Sequence, residues 1–293
     1  MKVRLDDYPQ LWLIAWNRHA EQEIEEAEAF ALYESRWRFI DQATLTAPER
    51  ELIKRLTTAW GGGCSVFERP HHQPIETLLR ALDGGRLEQA KCFFGGATAI
   101  TLLLGEYRES IHVDFLCAST DGYRGLRAAV FDGSLAPLTL SPLKQLRELR
   151  TDQYGIRTFV EVDGVPIKLE IVREARITLT GAMHPALGVP VLSRESLFAE
   201  KLLANADRGA DRATFSRDAI DLGMMAASWG PVPPESWALA RLAYGATIDA
   251  ALADSVRRLG DPAWRGSCLS AMHMTEADGD RLLGALQAIT AAR

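Results

Sequence analysis

The alternation of apolar and polar residues predicts a strand near the middle of the chain, over residues 110–117 (SIHVDFLC). Because successive strand residues point to opposite faces, His112 and Asp114 share one face, and Val113 and Phe115 share the other. A short strand over residues 91–94 and an apolar helix over residues 97–104 are predicted just before it. The order strand, helix, strand indicates an α/β region.

A second pattern of this kind predicts a β-hairpin over residues 156–172 (IRTFVEVDGVPIKLEIV). Two strand-like runs flank Asp163-Gly164, a pair that favours a tight hairpin turn. In the second run, Lys168 and Glu170 share a face. Glu161 on the first run is the alternative acidic residue of this hairpin.

The remainder of the chain has helical periodicity. Residues 1–60 are predicted to be helical, with an acidic face over residues 21–28 and apolar positions at Trp37, Phe39 and Ile40. Thr46, followed by Pro48 and Glu49, is typical of a helix start. The glycines at 61–63 are expected to end that helix, and the next, over residues 74–90, is interrupted near Gly84-Gly85.

From Ser193 onward the pattern is helical, and a short helix is predicted at residues 122–130. The predicted organisation is a helical N-terminal segment (1–84), an α/β core (85–190) and a helical C-terminal domain (191–293). The sequence shows no internal repeat and no low-complexity linker.

Composition narrows the class of protein. A net charge of −6 and a pI of about 5.6 argue against a general nucleic-acid-coating protein, although a local basic groove stays compatible with them. No apolar run is long enough to span a bilayer, and no signal peptide is recognised. The four cysteines are far apart (Cys64, Cys92, Cys117 and Cys268), which favours buried thiols in a reducing compartment. We therefore expect a cytoplasmic protein without membrane partners.

The pair Gly95-Gly96 at a helix start is a candidate phosphate cradle. Glycine lets the backbone approach a ligand closely, and a helix N-terminus favours an anion. Carboxylates two residues apart on one strand face the same metal ion, and a third acid on a neighbouring antiparallel strand can complete the cluster. Here the candidates are His112 and Asp114, with Glu170 from the hairpin. Such groups together suit nucleotidyl transfer, which depends on positioning and charge neutralisation.

Three segments together resemble the AbiEii/AbiGii-type nucleotidyltransferase toxins, a minimal branch of the DNA polymerase β-like superfamily. They are FFGGATAITLLLGEYRESIHVDFL, KLEIVRE and AEKLLANADRGADRATFSRDAIDL. The resemblance covers about residues 90–225 and is expected to extend over the whole chain. It implies an α+β fold of the polymerase β-like type: a mixed sheet core flanked by helices, with a helical C-terminal domain.

Residue by residue, the resemblance implies the following site. The glycine motif falls on Gly95, Gly96 and Thr98, and the R-x-S element on Arg108 and Ser110; with Lys201 these are the implied nucleotide-binding residues. Asp114 falls on the second aspartate of the strand pair, and Glu170 on the third acid. Lys201 matches the helical lysine, and the RDxxDL motif falls on Arg217, Asp218 and Asp221. The implied catalytic residues are Asp114, Glu170, Lys201 and Asp218, and the implied metal ligands are His112, Asp114 and Glu170.

The resemblance also implies an activity. It implies a Mg²⁺-dependent transfer of a nucleoside monophosphate, or short nucleotide additions, from an NTP to an acceptor. The expected acceptor is tRNA or another RNA, and Mn²⁺ is the alternative metal. The resemblance implies a toxin of a toxin-antitoxin or abortive-infection system, so a cognate antitoxin protein is an expected partner.

Two positions depart from the family pattern: His112 replaces the first aspartate, and Ala97 replaces a glycine or threonine. An imidazole suits Mn²⁺ or Zn²⁺ better than Mg²⁺. His112 is compatible with a core histidine, a substituted ligand or an inactivating change. We expect an attenuated transferase. The alternatives are an inactive relative that binds nucleotide or protein, and an interaction protein whose helical C-terminal half docks a partner.

Simpler interpretations of the individual charged residues stay open. Lys201 can extend along an apolar surface with its amine in solvent. Asp218 and Asp221 lie on one helical face and can pair with Arg217 or Arg212. The arginines at 208, 212 and 217 alternate with acids, as on a solvated helix. His71-His72 has no third ligand nearby in the sequence, which argues against a metal site there.

Overall fold

The computed structural model describes residues 2–15, 18–19, 22–36, 40, 44–60, 67 and 69–291. Most of these residues are helical. The helices are α1 (Pro9–Ile14), α2 (Glu26–Arg36), α3 (Ala47–Trp60), α4 (Gln73–Ala81), α5 (Gly84–Gln89), α6 (Gly96–Leu103), α7 (Thr120–Ala129), α8 (Arg194–Arg208), α9 (Arg217–Trp229), α10 (Pro234–Tyr244), α11 (Thr247–Leu259), α12 (Pro262–Ala271) and α13 (Glu276–Ala291).

A mixed sheet forms the centre of the molecule. The strands of the chain are β1 (Lys2–Arg4), β2 (Glu23–Glu25), β3 (Cys92–Gly95), β4 (His112–Cys117), β5 (Lys144–Gln145), β6 (Arg150–Thr151), β7 (Gly155–Val162), β8 (Val165–Arg173), β9 (Gly181–Met183) and β10 (Pro190–Leu192). The central order is β5-β7-β8-β4-β3-β10-β9, and β6 also pairs with β7. The predicted α+β class with a mixed sheet is confirmed.

The predicted strand–helix–strand unit is present as β3, α6 and β4. All four residues of β3 are buried, and the chain leaves it through Gly96, whose φ of +68° is accessible to glycine at little cost. The strand then returns antiparallel, with Gly95 opposite Asp114. This geometry brings the helix start beside the strand acid.

The predicted hairpin is formed by β7 and β8. Asp163 and Gly164 both have positive φ, 51° and 79°, as a two-residue turn with the twist of a hairpin requires. The sequence prediction was wrong about the next pairing, because β8 runs parallel to β4 and not antiparallel. The reason is the connection: α7 and three strands lie between β4 and β8, so the chain crosses over before it returns. Glu170 is nevertheless the direct neighbour of Asp114.

The N-terminal segment is not wholly helical as predicted. Strands β1 and β2 pair antiparallel, and each buries its middle residue, Val3 and Ile24, in a small apolar cluster. The acidic run at 21–28 is therefore not one helix face. Glu23 and Glu25 are exposed on β2, whereas Glu26 is buried and pairs with Arg55 at 3.0 Å.

The predicted start of α3 is confirmed, since the Thr46 hydroxyl accepts a hydrogen bond from the Glu49 amide at 3.3 Å. Glu49 itself is buried and accepts hydrogen bonds from the Leu11 amide and the Tyr33 hydroxyl. Ile40 is buried, but Trp37, Phe39 and the glycines at 61–63 lie outside the described residues.

The helix predicted at 74–90 is divided at the expected place, into α4 and α5. Leu78 and Leu79 of α4 are buried with the sheet residues, so this helix packs on the core although the predicted boundary at 84 places it in the N-terminal segment. Strands β9 and β10 were not predicted. Their segment is rich in glycine and proline, and β10 is ordered by parallel pairing with β3 at Val191 and Phe94.

The C-terminal helices α8–α13 share one apolar cluster with the sheet. This cluster includes Phe93 of β3, Ile100 of α6 and Leu116 of β4 together with residues of every helix from α8 to α13. The helical half and one face of the sheet thus form a common core. Cys92, Cys117 and Cys268 are buried free thiols, as predicted, and Cys64 lies outside the described residues.

Candidate active site

A cavity of about 590 Å³ lies between the sheet and helix α8. Its walls are the exposed face of β4 and β8, the start of α6, and one side of α8. The predicted site residues that line it are Gly96, Arg108, Ser110, His112, Asp114, Glu170, Lys201 and Arg217. The structure therefore brings residues from four distant parts of the sequence into one space.

Gly95 and Gly96 are each required as glycine, but for different structural reasons. A Cβ at Gly96 would lie 3.0 Å from the Asp114 Oδ2 atom, so only glycine lets the backbone pass this close to the carboxylate. A Cβ at Gly95 would meet Leu116 and Leu192 side-chain atoms at 2.6 Å. Gly96 therefore shapes the site, whereas Gly95 is required by packing behind it.

Thr98 supports the site but does not line the cavity. It is fully buried, and its hydroxyl bonds to the Ser110 hydroxyl at 2.7 Å and donates to the His112 carbonyl. These two contacts tie α6 to the start of β4. Thr98 thus positions Ser110, which faces the cavity.

His72 supports the same serine, a role that no pattern in the sequence indicates. The Ser110 amide donates to His72 Nε2 at 3.3 Å, and His72 Nδ1 lies 2.6 Å from Glu106. Burial lowers the pKa of His72, an effect that the nearby Glu106 opposes only in part. The imidazole is therefore neutral, with Nδ1–H donating to Glu106 and Nε2 accepting from Ser110.

Asp114 and Glu170 are the two carboxylates at the floor of the cavity. Burial, and then the charge of Glu170, raise the pKa of Asp114, while His112, Lys168 and Lys201 act in the opposite direction. Glu170 Oε2 is 2.6 Å from Lys168 Nζ, and its Oε1 is 3.1 Å from Arg157 Nε. The alternative acid, Glu161, pairs with Lys144 at 2.7 Å and does not line the cavity.

The residues present do not fit a metal ion with three protein ligands. His112 lies exposed at the end of β4, and both oxygens of Glu170 are engaged by cations. Throughout the described part of the chain, no group of three or more His, Cys, Asp or Glu side chains is arranged to hold a metal ion. His112, Asp114 and Glu170 therefore lie on the neighbouring strands β4 and β8 but are not arranged as one ligand set.

Lys201 lies at the centre of a buried ionic network. Only 4% exposed, its Nζ atom is 2.9 Å from Asp218 and 2.6 Å from Asp221. Arg108 donates two hydrogen bonds to Asp221, at 2.8 and 3.0 Å, and Arg208 donates two to Asp218, at 2.6 and 2.9 Å. Lys201 is thus not extended toward solvent.

The network corrects the alternative pairing predicted for the two aspartates, because their partners are Lys201, Arg108 and Arg208 rather than Arg217 or Arg212. Burial alone would raise the pKa of Asp218, but Lys201 and Arg208 outweigh it and leave that pKa far below its usual range. Within this network three cations face two carboxylates, and this local excess of one positive charge favours a phosphate group next to it.

A glycine turn at a helix start, strand carboxylates and a buried cationic cluster are features that phosphoryl-transfer sites use. The family described as "Nucleotidyl transferase AbiEii toxin, Type IV TA system" matches residues 78–281, and the chain belongs to that family. The predicted resemblance is confirmed, and it extends further on both sides than the quoted motifs.

Solved structures give a more distant comparison. JHP933 from Helicobacter pylori is 16% identical, with 76% of this chain and 91% of that chain covered and a TM-score of 0.44. An antigenic nucleotidyltransferase-like protein from Paracoccidioides brasiliensis is 18% identical, with 71% and 95% covered and a TM-score of 0.40. Similarity at this level carries no argument about the site. No curated protein matches the sequence. Among the described residues, no helix has the length and apolar character needed to cross a membrane.

Proposed function

We propose that this protein transfers a nucleotide from an NTP to the hydroxyl group of an acceptor, with tRNA or another RNA as the acceptor class. The observation that carries the proposal is Asp114, a half-buried carboxylate that shares one cavity with the glycine turn at Gly96 and the cationic network around Lys201. Family membership supports the toxin role and a cognate antitoxin as partner. The free buried thiols support a cytoplasmic setting.

In the proposed reaction, the triphosphate lies against Lys201 and Arg208, with the backbone at Gly96 close to its oxygens. The acceptor oxygen attacks the α-phosphorus, the bond to pyrophosphate breaks, and the hydroxyl proton passes to Asp114. A raised pKa makes Asp114 a better proton acceptor than an ordinary aspartate. Ser110, held by Thr98 and His72, supplies a hydroxyl at the cavity wall.

His112 is expected to attenuate the reaction, because an exposed imidazole replaces a carboxylate beside Asp114. The second candidate function is a relative that binds NTP without turnover, and the pairing of Glu170 with Lys168 and Arg157 favours it. It predicts nucleotide affinity together with no transfer.

The test is incubation of the purified protein with labelled NTPs and total tRNA, in parallel with Mg²⁺ and with Mn²⁺. We expect labelled RNA from the wild type and none from Asp114→Asn. Labelling that persists in Asp114→Asn, or its absence from both proteins, contradicts the proposal. Since the resemblance implies a divalent metal and the geometry holds no three-ligand group, a parallel incubation with chelator measures metal dependence directly.

A further inference from the structure

The far end of the cavity holds a second group of charged residues, which the proposed reaction does not use. Arg176 is its centre: Nη2 lies 2.6 Å from Glu174 and 3.4 Å from Glu200, and Nη1 lies 2.8 Å from Asp207. All four residues line the cavity. Glu174, Glu200 and Asp207 lie within the segments that carry the family resemblance, but none of the four is among the implied site residues.

The position of Glu174 shows how far this charged group lies from Asp114 and Glu170, at the reacting end of the cavity. Lys168, Glu170, Val172 and Glu174 lie on one face of the β8 segment and all line the cavity. At strand spacing, four residues separate Glu170 from Glu174 by about 13 Å. That distance is too long for both carboxyl groups to contact one phosphate, but a single nucleotide can extend from one to the other.

Glu200 is the member of the group that lacks a complete set of contacts. It is only 9% exposed, its Oε2 faces Arg176, and its Oε1 has no hydrogen-bond partner among the described residues. Buried carboxyl oxygens are normally hydrogen-bonded, because an unpaired one is costly. The Oε1 atom therefore keeps an unused acceptor position beside the cavity.

The protonation state of Glu200 indicates the kind of partner. Burial, and then the neighbouring Glu174, raise the pKa of Glu200 to about 8, whereas the pKa of Glu174 is lowered despite its burial, chiefly through Arg176. At neutral pH Glu200 thus carries a proton that it shares with Glu174, and Oε1 is left as an acceptor. The terminal torsion of a glutamate is soft, so Oε1 can turn into the cavity while α8 stays in place.

We propose that Glu200 is the nucleoside contact of this cavity: its Oε1 accepts a hydrogen bond from an N–H or O–H group of the base or sugar, while the phosphates lie against Lys201. The inference rests on the proposed function, because it takes an NTP as the ligand. Glu174 and Arg176 hold the Glu200 carboxyl in place. A purely structural tie between the end of β8 and α8 is the competing explanation.

The experiment compares the binding of ATP and inorganic tripolyphosphate, a probe without a nucleoside, by titration calorimetry on the full chain. Glu200→Met keeps the side-chain length without an acceptor, and it is expected to weaken ATP binding about tenfold while leaving tripolyphosphate binding unchanged. Glu200→Gln keeps an acceptor oxygen and is expected to stay within about threefold of the wild type. Glu195→Gln, on the same helix but outside the cavity lining, is the matched control. An equal loss for both ligands supports the structural tie and overturns the inference, as does unchanged ATP affinity.

A second measurement uses only the wild type and so does not depend on any variant folding. The affinities of ATP, CTP, GTP and UTP locate the donor on the base if they differ about tenfold, and the 2′-deoxy and 3′-deoxy nucleotides locate it on the sugar if they lose as much. Equal affinity for all of them overturns the inference. These results are independent of Asp114-dependent transfer, whose absence would contradict the proposed function while leaving the binding comparison valid.

Discussion

At the scale of single residues, the site depends on side chains and backbone atoms that were only partly recognisable in the sequence. The glycine motif and Asp114 could be predicted because their order along the chain is characteristic. The function of His72 could not, because a histidine that accepts a backbone hydrogen bond from Ser110, 38 positions away, leaves no local pattern. The same holds for Glu200, whose burial and proton sharing depend on tertiary contacts.

Gly96→Ala is predicted to reduce nucleotide transfer strongly. A Cβ would add about 1–2 kcal/mol of left-handed backbone strain and would push against the Asp114 carboxylate. Gly105→Ala is the control, because Gly105 also has a positive φ of 77° but has open space around its Cβ position. We expect both variants to melt at lower temperature and only Gly96→Ala to lose NTP transfer. Equal transfer by the two variants would show that the contact with Asp114 has no role.

His72→Phe is predicted to lower the free energy of unfolding at neutral pH and to remove the part of its pH dependence that His72 contributes. Because the folded-state pKa of His72 is lowered, its contribution is fully present above about pH 6.5, the unfolded value, and is lost as the pH falls toward the folded value. Urea unfolding at several pH values between 5 and 8 measures this slope. His71→Gln, at an exposed neighbour paired with Glu109, is the control. An unchanged slope in His72→Phe would contradict the assignment.

At the scale of elements, the periodic segments could be predicted and the pairings between distant segments could not. The hairpin over Asp163-Gly164 is specified by local turn geometry, and the start of α3 by Thr46. The parallel pairing of β4 with β8 and the existence of β10 are set by contacts across the sheet. Likewise, the RDxxDL helix was recognisable, but its ionic partners on α8 were not.

The junction of α8 and α9 is predicted to depend on its buried charges. Asp221→Asn leaves Arg108 and Lys201 without their shared counter-ion, and this is expected to cost about 3–5 kcal/mol of unfolding free energy. The charges of Arg108 and Lys201 lower the pKa of Asp221 although burial opposes this. The stabilisation is therefore present above about pH 4 and is lost as the pH falls through the lower folded value.

Denaturant unfolding at pH 7 and under acidic conditions measures both effects. Asp249→Asn removes an exposed pair with Arg241 and is expected to change little. A similar small effect of Asp221→Asn would mean that the buried network contributes little to stability.

At the scale of the whole molecule, an acidic chain carries a local positive site. The net charge of −6 gives no sign of the cluster of Lys201, Arg108 and Arg208, which only the folded chain assembles. The predicted domain boundary at 190 stays a prediction, but the apolar cluster shared by Leu116 and helices α8–α13 couples the sheet to the helical half. The cavity between them is lined in part by residues of this shared cluster, among them Leu116 and Leu197.

The central claim is that Asp114 performs nucleotidyl transfer in a site weakened by His112. The most direct measurement is the rate of labelled-NTP incorporation into total tRNA by the wild type, His112→Asp, Asp114→Asn and the double variant. We predict slow incorporation by the wild type and none by either protein that carries Asp114→Asn. We predict incorporation at least about tenfold faster by His112→Asp, because a restored carboxylate that acts as a general base or a ligand contributes that much or more. Incorporation that is unchanged by Asp114→Asn, or its absence from both the wild type and His112→Asp, would contradict the account.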